Sequence, residues 1–491
     1  MLKPFAAAQW NFTTAAHLLN RAGFGGTPAE IEKLAALSPE QAISSLVNYE
    51  RIPDSTANPE WAKPDPDHAR KLAEIRSATE DRKRELQKEE RQLQRDRLLE
   101  LRGWWLQRMA GGPHPFQEKM TLFWHGHFAT NFTKVRDAYY MWRQNELFRR
   151  LATGNWLQML IEVAQDPAML VWLDQAQSRK QHPNENFARE VMELFTLGEG
   201  HYTEKDVTEA ARAMTGWSLN RDQQSFINRP RAHDAGVKSV LGKTGDFSGE
   251  DVLEIIVAQP HAAIFITGKL WNFFAGEMPS RELNAALATE FRRAGNNFKP
   301  FLHLMFLSEE FYAPSIIRHQ IKSPVQWLIA SVRMLECKLP PPKASSYLLS
   351  TLGQELFAPP NVKGWDGGLA WINTNTLLAR YNEAAAIAEG DASMLAGMAA
   401  GKKPAQQRRI QNRMQKSRLG GVNVEKILTP EERADKDQLI AALEKRLLQT
   451  TLKDKQQQAV RDYLNSKGDL DESEIRGAIR LIMSTPEYQL T

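Results

Sequence analysis

The chain has 491 residues, and because 42% of them are hydrophobic it can bury a substantial core, as one large body or as two or three domains. Its 63 basic and 59 acidic residues leave a formal net charge of +4, a balance that does not predict a nucleic-acid partner. The single cysteine, Cys337, excludes an internal disulfide and a multi-cysteine metal site.

Helix-start signals recur along the chain and set the expected fold class. A hydroxyl residue is followed by Pro or a small residue, with an acid or amide three places on, at Thr27, Ser38, Ser248 and Thr429. Alternating runs of β-branched residues are nearly absent. The sequence therefore predicts an all-α fold, a large irregular multi-helical body with one long projecting charged helix, two long irregular loops and at most a small β-hairpin.

The N-terminal part, residues 1–65, is expected to consist of helices without a targeting segment. One lysine and a short apolar run precede Gln9, and the chain contains no apolar run long enough to span a membrane. Neither a signal peptide nor membrane insertion is predicted. The expected location is therefore cytoplasmic.

Residues 66–110 are predicted to form a long charged helical arm, because they are rich in Glu, Lys, Arg and Gln with few apolar residues. A heptad spacing holds only between Leu86 and Leu93, which is too little for a two-stranded coiled coil. The C-terminal end of the arm is expected to enter the body near Trp104 and Trp105. The alternative is a solvated helix with no partner.

Residues 111–384 are expected to be the helical core that holds the candidate site. An aromatic-rich stretch near its start contains His125 and His127, which lie about 200° apart on a continuous helix and so cannot both face one ion. They could converge only if the helix ended or distorted at Gly126. Either one histidine is packed and the other lies near the surface, or one or both line a polar site.

The most charged part of this core begins at Asn184. Apolar residues at helical spacing predict a helix, with Glu190 at the edge of the apolar stripe and Glu193 nearly opposite, on a face that is expected to be half-buried. Gly198 and Gly200 supply the turn that ends it. Two carboxylates on one short helix make this segment the first candidate for acid–base chemistry.

A second helix is predicted after this turn. Thr203 and Asp206 can form a capping box, and apolar residues as far as Trp217 then make a buried stripe. Glu209 and Arg212 fall on the other side of the helix. They bring a carboxylate and a guanidinium to the same region of the core.

A turn-rich loop follows, in which short strands around Phe226 and Val240 are expected to form one small hairpin. His233 and Asp234 in this loop could orient an imidazole for proton transfer, or Asp234 could cap a turn instead. Further helices are predicted over residues 251–259, 261–274, 281–294, 298–308 and 323–336.

A second irregular loop covers residues 353–375. Pro359 and Pro360 stiffen its backbone, and its glycines allow tight reversals. Indoles and amides stand together here, a combination that suits sugar-like or peptide ligands. The alternative is a compact loop whose tryptophans plug the core.

The C-terminal third changes composition twice. Residues 385–425 are rich in Gly, Ala and basic side chains and are expected to be a basic flexible connection, since no aromatic residues are interleaved to favour phosphate or nucleic-acid contact. Its basic side chains include Lys402, Lys403, Arg408, Arg409, Arg413 and Lys416. Residues 426–491 return to helices that are expected to pack on the core.

Five ordered motifs together resemble the bacterial family called domain of unknown function 1800, over nearly the whole chain from about Ala15 onwards. They are AAHLLNRAGFGGTP at 15–28, LFWHGHFATN at 122–131, NENFAREVMELFTLGEGHYTEKDVTEAARAMTGW at 184–217, HDAGVKSVLG at 233–242 and LFAPPNVKGWDGGLAWINT at 356–374. The resemblance implies no established activity. It does imply a neighbouring partner, because relatives are often encoded beside sulfatase-like proteins of the domain of unknown function 1501 family.

Two departures from the relatives affect the expectations. Many relatives carry export signals, so the alternative to a cytoplasmic location is the periplasm, reached by co-export with a partner. Relatives can have His where this chain has Phe195, so a metal site that uses this position would be missing here. A di-iron bundle is not expected either, because neither Glu190 nor Glu193 is followed three residues later by His.

Two hypotheses for the function follow. The first is an enzyme with a polar site that acts on a sugar-like or peptide substrate, in which carboxylates beside histidines share a proton or hold a divalent metal ion of unknown identity. The catalytic candidates are His125, His127, Glu190, Glu193, Glu209, Arg212 and His233. The substrate-binding candidates are Asn184, Asn186, Trp217, Lys238, Asn361, Lys363, Trp365 and Trp371.

The alternative to this site is a salt-bridge network in which Glu190 and Glu209 pair with Arg189 and Arg212 and only fix helix packing. The second hypothesis is a non-catalytic helical accessory subunit. It would bind a sulfatase-like partner through the arm or through the basic connection near Arg408.

Overall fold

Capping chemistry at the helix starts positions the N-terminal helices. In the computed structural model, which describes residues 2–390, 421–467 and 470–491, Thr27 and Ser38 each accept a hydrogen bond from a backbone N–H three residues on, and Glu30 and Gln41 reciprocate. The predicted helix starts are therefore confirmed here. The first helices are α1 (Phe12–Ala22), α2 (Pro28–Ala35) and α3 (Pro39–Val47).

The charged segment that was expected to be one arm is divided into two helices, α4 (His68–Ser77) and α5 (Glu80–Gly111). Ala78 and Thr79 between them have extended backbone, because Thr79 followed by two acids is itself a helix-start sequence. The beginning of α5 is exposed, whereas its C-terminal half is buried and Trp105 is completely covered. The long charged helix of the predicted fold class is α5.

The centre of the body is built from short helices with side-chain caps. Asn155, Asp166 and Asn184 each accept a hydrogen bond from a backbone N–H of the first turn that follows them. The capped helices are α7 (Phe132–Val135), α8 (Ala138–Arg150), α9 (Trp156–Ala164), α10 (Pro167–Trp172), α11 (Glu185–Glu190) and α12 (Glu204–Ala213). Helix α6 (Pro115–His127), which precedes them, begins at a proline without a side-chain cap.

The strands form two hairpins in the described residues, where the sequence predicted a single one. Phe226 and Val240 do lie in strands, but each strand pairs with its own neighbour, Phe226 opposite Leu219 and Val240 opposite Lys243. Both pairs are antiparallel. The first joins β1 (Trp217–Asn220) to β2 (Ser225–Asn228), and the second joins β3 (Lys238–Val240) to β4 (Lys243–Gly245).

The helices after the hairpins begin and end within about two residues of the predicted bounds. They are α13 (Gly249–Val257), α14 (Pro260–Ala275), α15 (Arg281–Arg293), α16 (Phe298–Phe306) and α17 (Pro324–Met334). Helices α18 (Pro342–Thr351) and α19 (Thr374–Glu389) flank the second irregular loop. The C-terminal helices are α20 (Val424–Ile427), α21 (Pro430–Ala434), α22 (Lys436–Leu447), α23 (Asp454–Asn465) and α24 (Glu472–Met483).

Two apolar clusters fill the body. The first joins α1–α3 to α6 and to the helices from α8 to α16, and the second joins α5, α17, α18 and α19 to the C-terminal helices. Phe357 belongs to the second cluster, and Val362 packs on the first. The loop 353–375 therefore bridges the two clusters, and the all-α class with small hairpins is confirmed.

The predicted basic connection falls largely outside the described residues. Of residues 385–425, the structure describes 385–390 and 421–425, so the six basic side chains expected to mark the connection lie beyond it. In the part of the chain that is described, no single helix is long and apolar enough to cross a membrane. The bent pair α13–α14, with 75° between its helices, meets the length and composition criteria together.

Candidate functional site

Helix α11 does not end as an ordinary α-helix but continues into a π-helical turn, Val191–Thr196. The backbone N–H groups of Leu197 and Gly198 both donate to the carbonyl of Met192, at 2.8 and 3.2 Å. π-Helical turns are rare and occur frequently at functional sites. This turn lies within the charged segment that begins at Asn184, the first candidate for acid–base chemistry in the sequence.

Two side chains from other helices bind the end of the π turn. Lys269 Nζ of α14 donates to the carbonyl of Leu194 at 3.1 Å, and His127 Nε2 lies 3.1 Å from the carbonyl of Phe195. Since only a protonated Nε2 can donate to that carbonyl, His127 Nδ1 is left as an acceptor for Lys269 Nζ at 3.4 Å. His127 is thus oriented from both sides.

Burial governs the protonation of this pair. It lowers the pKa of Lys269 to about 8, and burial together with the charge of Lys269 holds the pKa of His127 well below its ordinary value. His127 is therefore neutral. Lys269 was missed by the sequence analysis, although it is the one lysine or arginine in the apolar helix α14 and that isolation is a usable signal.

Glu190 and Glu193 lie on successive turns at the start of the π segment. Glu193 accepts a hydrogen bond from the Tyr202 hydroxyl at 2.8 Å. Glu190 is half-buried and makes no hydrogen bond or ion pair to any described residue. Burial raises the pKa of Glu190, the neighbouring Glu193 raises it further, and Lys363 and Arg189 oppose them.

The ion pairs around Glu190 differ from those of the network alternative. Arg189 donates to both carboxylate oxygens of Glu204 at 2.6 Å, and not to Glu190. The predicted pair of Glu209 with Arg212 does form, at 2.9 Å. Among the described residues, Glu190 thus lacks the arginine partner that the network alternative gives it.

The loop 353–375 reaches this segment through a close backbone contact. Gly364 has φ of +88°, and a Cβ there would lie 2.1 Å from the carbonyl oxygen of Gly126 at the end of α6. Lys363, the residue before Gly364, is exposed, and its positive charge lowers the pKa of Glu190.

The tryptophans and amides of this loop pack or cap turns. Trp365 lies over Gly126, and Trp371 is buried as the core-plug alternative expected. Asn361 accepts a hydrogen bond from the backbone of Lys363 and closes its own turn. Asn361 and Lys363 are the two substrate-binding candidates of the loop that remain exposed.

His125 belongs to a different part of the core. Its Nε2 lies 3.0 Å from Asn145 Nδ2, and its ring packs against Trp105, Phe148 and Phe357. Burial, with the positive charge of Arg149, holds the pKa of His125 well below its ordinary value. The two histidines therefore face different surroundings, as the helical period required, and both are buried.

The remaining catalytic candidates form a second cluster that attaches the loop before α13 to α12. Arg212 lies between Glu209, at 2.9 Å, and Asp234, at 2.8 Å. Glu209 also accepts the backbone N–H of Ser239, and His233 Nδ1 lies 3.0 Å from the carbonyl of Thr215. Every one of these groups is occupied by a structural contact.

Of the four remaining substrate-binding candidates, two lie at or on α11 and two are buried. Asn184 caps α11 and donates to the carbonyl of Leu173, while Asn186 is exposed. Trp217 is buried in the core, and the buried ammonium of Lys238 donates to the carbonyl of Gly236 at 2.9 Å. Glu190 and Glu193 thus lie on one helix end, which His127 binds from another helix and which the charge of Lys363 reaches. His125 and the Arg212 cluster make their contacts elsewhere.

A protein-family model described as "Protein of unknown function (DUF1800)" matches residues 17–490, nearly the whole chain. The chain belongs to the DUF1800 family. The resemblance read from the five motifs is therefore confirmed. No curated protein and no solved structure matches this DUF1800 member.

The side chains of this DUF1800 member offer no ready metal centre in its described ranges. No three His, Cys, Asp or Glu residues there are placed to hold one ion. Phe195 packs beside Phe128 with ring centroids 5.2 Å apart.

Proposed function

We propose that this DUF1800 protein is an acid–base enzyme that acts on a sugar-like or peptide substrate through Glu190 and Glu193. The observation that carries the proposal is the carboxyl group of Glu190, which is half-buried and has no hydrogen-bond or ion-pair partner in the described residues. Burial disfavours the charged form of this carboxyl group, and no described side chain offsets that effect with an ion pair or a hydrogen bond. A substrate that exchanges a proton with Glu190 would supply the missing contact.

The two carboxyl groups have different surroundings and suit different roles. Burial and the adjacent Glu193 raise the pKa of Glu190, so Glu190 retains a proton more readily than an exposed glutamate and can act as a general acid. Glu193, which accepts the Tyr202 hydroxyl, is positioned as the partner base. When the surroundings of two neighbouring carboxyl groups differ, their pKa values differ, and one can act as the acid while the other acts as the base.

The loop above these groups supplies the side of the site that contacts the substrate. Lys363 is exposed, lies within charge range of Glu190, and is attached to the body through the contact of Gly364 with Gly126. An exposed ammonium group whose charge reaches the general acid can bind a hydroxyl or carbonyl oxygen of a sugar or peptide. Lys269 and His127 bind the carbonyls of Leu194 and Phe195 and so hold the backbone that carries Glu193.

The proposal is tested with purified protein on panels of chromogenic glycosides and peptides. Replacing Glu190 by Gln keeps the shape but removes the titrating proton, so turnover of an accepted substrate should fall by about 10²-fold or more. The melting temperature should stay the same or rise slightly, because the change loses no ion pair to a described residue and removes the repulsion between Glu190 and Glu193.

Glu199, an exposed glutamate in the turn after the π segment, provides the matched control. The Glu199→Gln variant should retain wild-type turnover. The proposal fails if Glu190→Gln is as active as the wild type, or if the wild type turns over no member of either panel.

A second candidate function is the non-catalytic accessory subunit of a sulfatase-like partner. It is favoured by large apolar side chains that are exposed on α18, on α19 and in the loop between them, with Leu369 81% exposed. Exposed apolar surface of this kind marks interaction sites. The side chains are Tyr347, Leu369, Leu377, Leu378 and Tyr381.

Co-purification with a sulfatase-like protein encoded beside the gene tests this candidate. Changing Leu369 and Leu378 together to Ser should reduce the partner yield several-fold, because the apolar contact area is lost. Met278, 63% exposed elsewhere on the surface, gives the control Met278→Ser. Equal yields for both variants, or recovery of the protein alone, would reject the accessory role.

A further inference from the structure

One face of α14 holds the π turn and the turn that follows it, residues 198–203. His261, Phe265 and Lys269 succeed one another at the four-residue spacing that places side chains on the same side of a helix. Lys269 donates to the carbonyl of Leu194 at 3.1 Å. The ring of Phe265 lies against Gly198, where an added Cβ would be 3.2 Å from it. The remaining residue of this face, His261, contacts the turn 198–203 nearer its end.

The contact of His261 is a stack of two imidazole rings. The rings of His201 and His261 lie with their centroids 3.2 Å apart and with 22° between their planes. His201 is exposed, and His261, in the first turn of α14, is partly buried. Two neutral rings, or one neutral and one charged ring, can stack in this way, whereas two charged rings at this separation repel each other. The stack therefore holds the turn on α14 only while at most one of the two rings is charged.

The surroundings of His261 favour its neutral form. Burial, and then the charge of His201, lower the pKa of His261. The N-terminal end of α14 adds to this, because the unpaired backbone N–H groups of a first turn disfavour a positive charge beside them. His261 is therefore the ring of the pair that resists the second proton.

Further charged groups lie on the turn 198–203 and on the elements packed around it and α14, and each of them is paired, hydrogen-bonded or exposed. They are Glu193 on the π turn, Glu199 in the turn itself, Glu204 on α12, Glu254 on α13, and Glu290 with Arg293 on α15. Among the described residues, the charge that lowers the pKa of His261 is that of His201.

The stack is one residue away from the contact that orients Glu193. Tyr202 follows His201 and donates its hydroxyl to Glu193 Oε2 at 2.8 Å. Burial, and then this hydrogen bond, raise the pKa of Tyr202 to about 12, so the hydroxyl keeps its proton and remains a donor. A turn that is held on α14 through His201 keeps Tyr202 within reach of Glu193.

We infer that the stacked pair His201–His261 positions Tyr202, and through it Glu193, and that charging both rings detaches the turn. The inference rests on the reaction proposed for Glu190 and Glu193, and it adds a regulation by pH. A histidine in a detached turn has a pKa of about 6.5, and packing on α14 lowers that of His261. The detached state therefore takes up the second proton more readily, so it is favoured as the pH falls below about 6.5.

Hydrogen–deuterium exchange of the turn tests the inference without a substrate. Protection factors of the peptide 198–203, corrected for the intrinsic rate at each pH, should fall by about tenfold between about pH 7.5 and about pH 5. The variant His261→Phe keeps a ring for the stack but cannot be charged, so its protection should change by less than about twofold over this range. Protection of the wild type that does not depend on pH overturns the inference, and so does an equal loss in His261→Phe.

Two further variants place the response in the stack. His201→Ala removes one ring, so the turn should be poorly protected at both ends of the pH range. His319, an exposed histidine elsewhere in the chain, gives the control His319→Phe, which should respond to pH as the wild type does. A His201→Ala turn as protected as the wild type at neutral pH, or a response that His319→Phe abolishes, contradicts the assignment to this pair.

Turnover separates the inference from the proposed reaction. With an accepted substrate, Tyr202→Phe should lower kcat by about tenfold with little change in KM, and adding His201→Ala should cost little more, because both act through one contact with Glu193. His261→Phe should extend the acid limb of the kcat profile to lower pH. Turnover whose pH profile is the same in His261→Phe overturns this inference alone, whereas the exchange response without any turnover supports the positioning of Tyr202 and rejects the reaction.

Discussion

Replacing Glu118 by Gln should lower the free energy of unfolding by about 3–5 kcal/mol, because the change removes the fully buried carboxylate that two buried guanidinium groups share and leaves each of them only its more exposed partner, Asp54 or Glu146. Glu118 is 1% exposed and accepts hydrogen bonds from Arg108 Nε at 2.7 Å, from Arg149 Nε at 2.8 Å and from the indole of Trp105 at 2.8 Å. Both arginines are themselves buried. An amide can satisfy some of these donors but none of the charge.

Urea-induced unfolding, monitored by tryptophan fluorescence, measures this loss. The matched control is Glu146→Gln, because Glu146 also pairs with Arg149 but its side chain is 34% exposed. Exposed ion pairs contribute only about 0–1 kcal/mol, so the control should change little. Equal effects of the two substitutions would contradict a central role for Glu118.

The same group gives a pH dependence with a definite sign. Burial alone would raise the pKa of Glu118, but Arg149 and Arg108 outweigh it and the net pKa is lowered. The unfolded chain therefore takes up the proton first as the pH falls below about 4.3, and the stabilisation is lost through the lower folded pKa. The difference between wild type and Glu118→Gln should accordingly be large near neutral pH and shrink in acid.

Helix starts could be predicted because their chemistry is local. Thr203 and Asp206 lie three residues apart and satisfy each other's backbone donors whatever the rest of the chain does. The same holds for Ser248 with Asp251. The bounds of the helices therefore followed from short stretches of sequence.

Hairpin pairing was harder to predict because the turn residues are unusual. The turn between β3 and β4 places Leu241 and Gly242 at φ of +49° and +79°, a combination usually signalled by Asn-Gly or Asp-Gly. The other turn places Gln224 at positive φ with no glycine. Because neither turn sequence indicates a tight hairpin, the sequence predicts one hairpin where the structure has two.

The candidate site depends on long-range choices that no local pattern encodes. Arg189 could pair with Glu190 beside it, but the packing of α12 on α11 places Glu204 within reach and leaves Glu190 unpaired among the described residues. The opposite directions of His125 and His127 followed from the helical period, whereas their partners did not. Tertiary packing thus decides which carboxylate pairs with which arginine. The single polar centre that the sequence predicts is replaced by separate contacts around Glu190, Arg212 and His125.

A second buried charge, Lys119, has no carboxylate within ion-pair distance in the described structure. Its side chain is 6% exposed, donates to Gln326, and lies 5.0 Å from the ring of Phe24 and 5.8 Å from that of Phe273. Burial, and then the positive charge of Arg21, lower the pKa of Lys119 to about 7. Folding therefore works against the charged form of this lysine.

Lys119→Met should consequently change how stability depends on pH. An unfolded lysine has a pKa of about 10.4, so between about pH 7 and that value the unfolded chain binds more protons than the folded one, and stability rises with pH by up to about 1.4 kcal/mol per unit. The variant lacks this contribution. Measured by urea unfolding, its stability relative to wild type should fall by about 2 kcal/mol from about pH 7.5 to about 9.5, whereas the exposed control Lys88→Met should show no such trend. A difference independent of pH would mean that Lys119 is not a titrating group in this window.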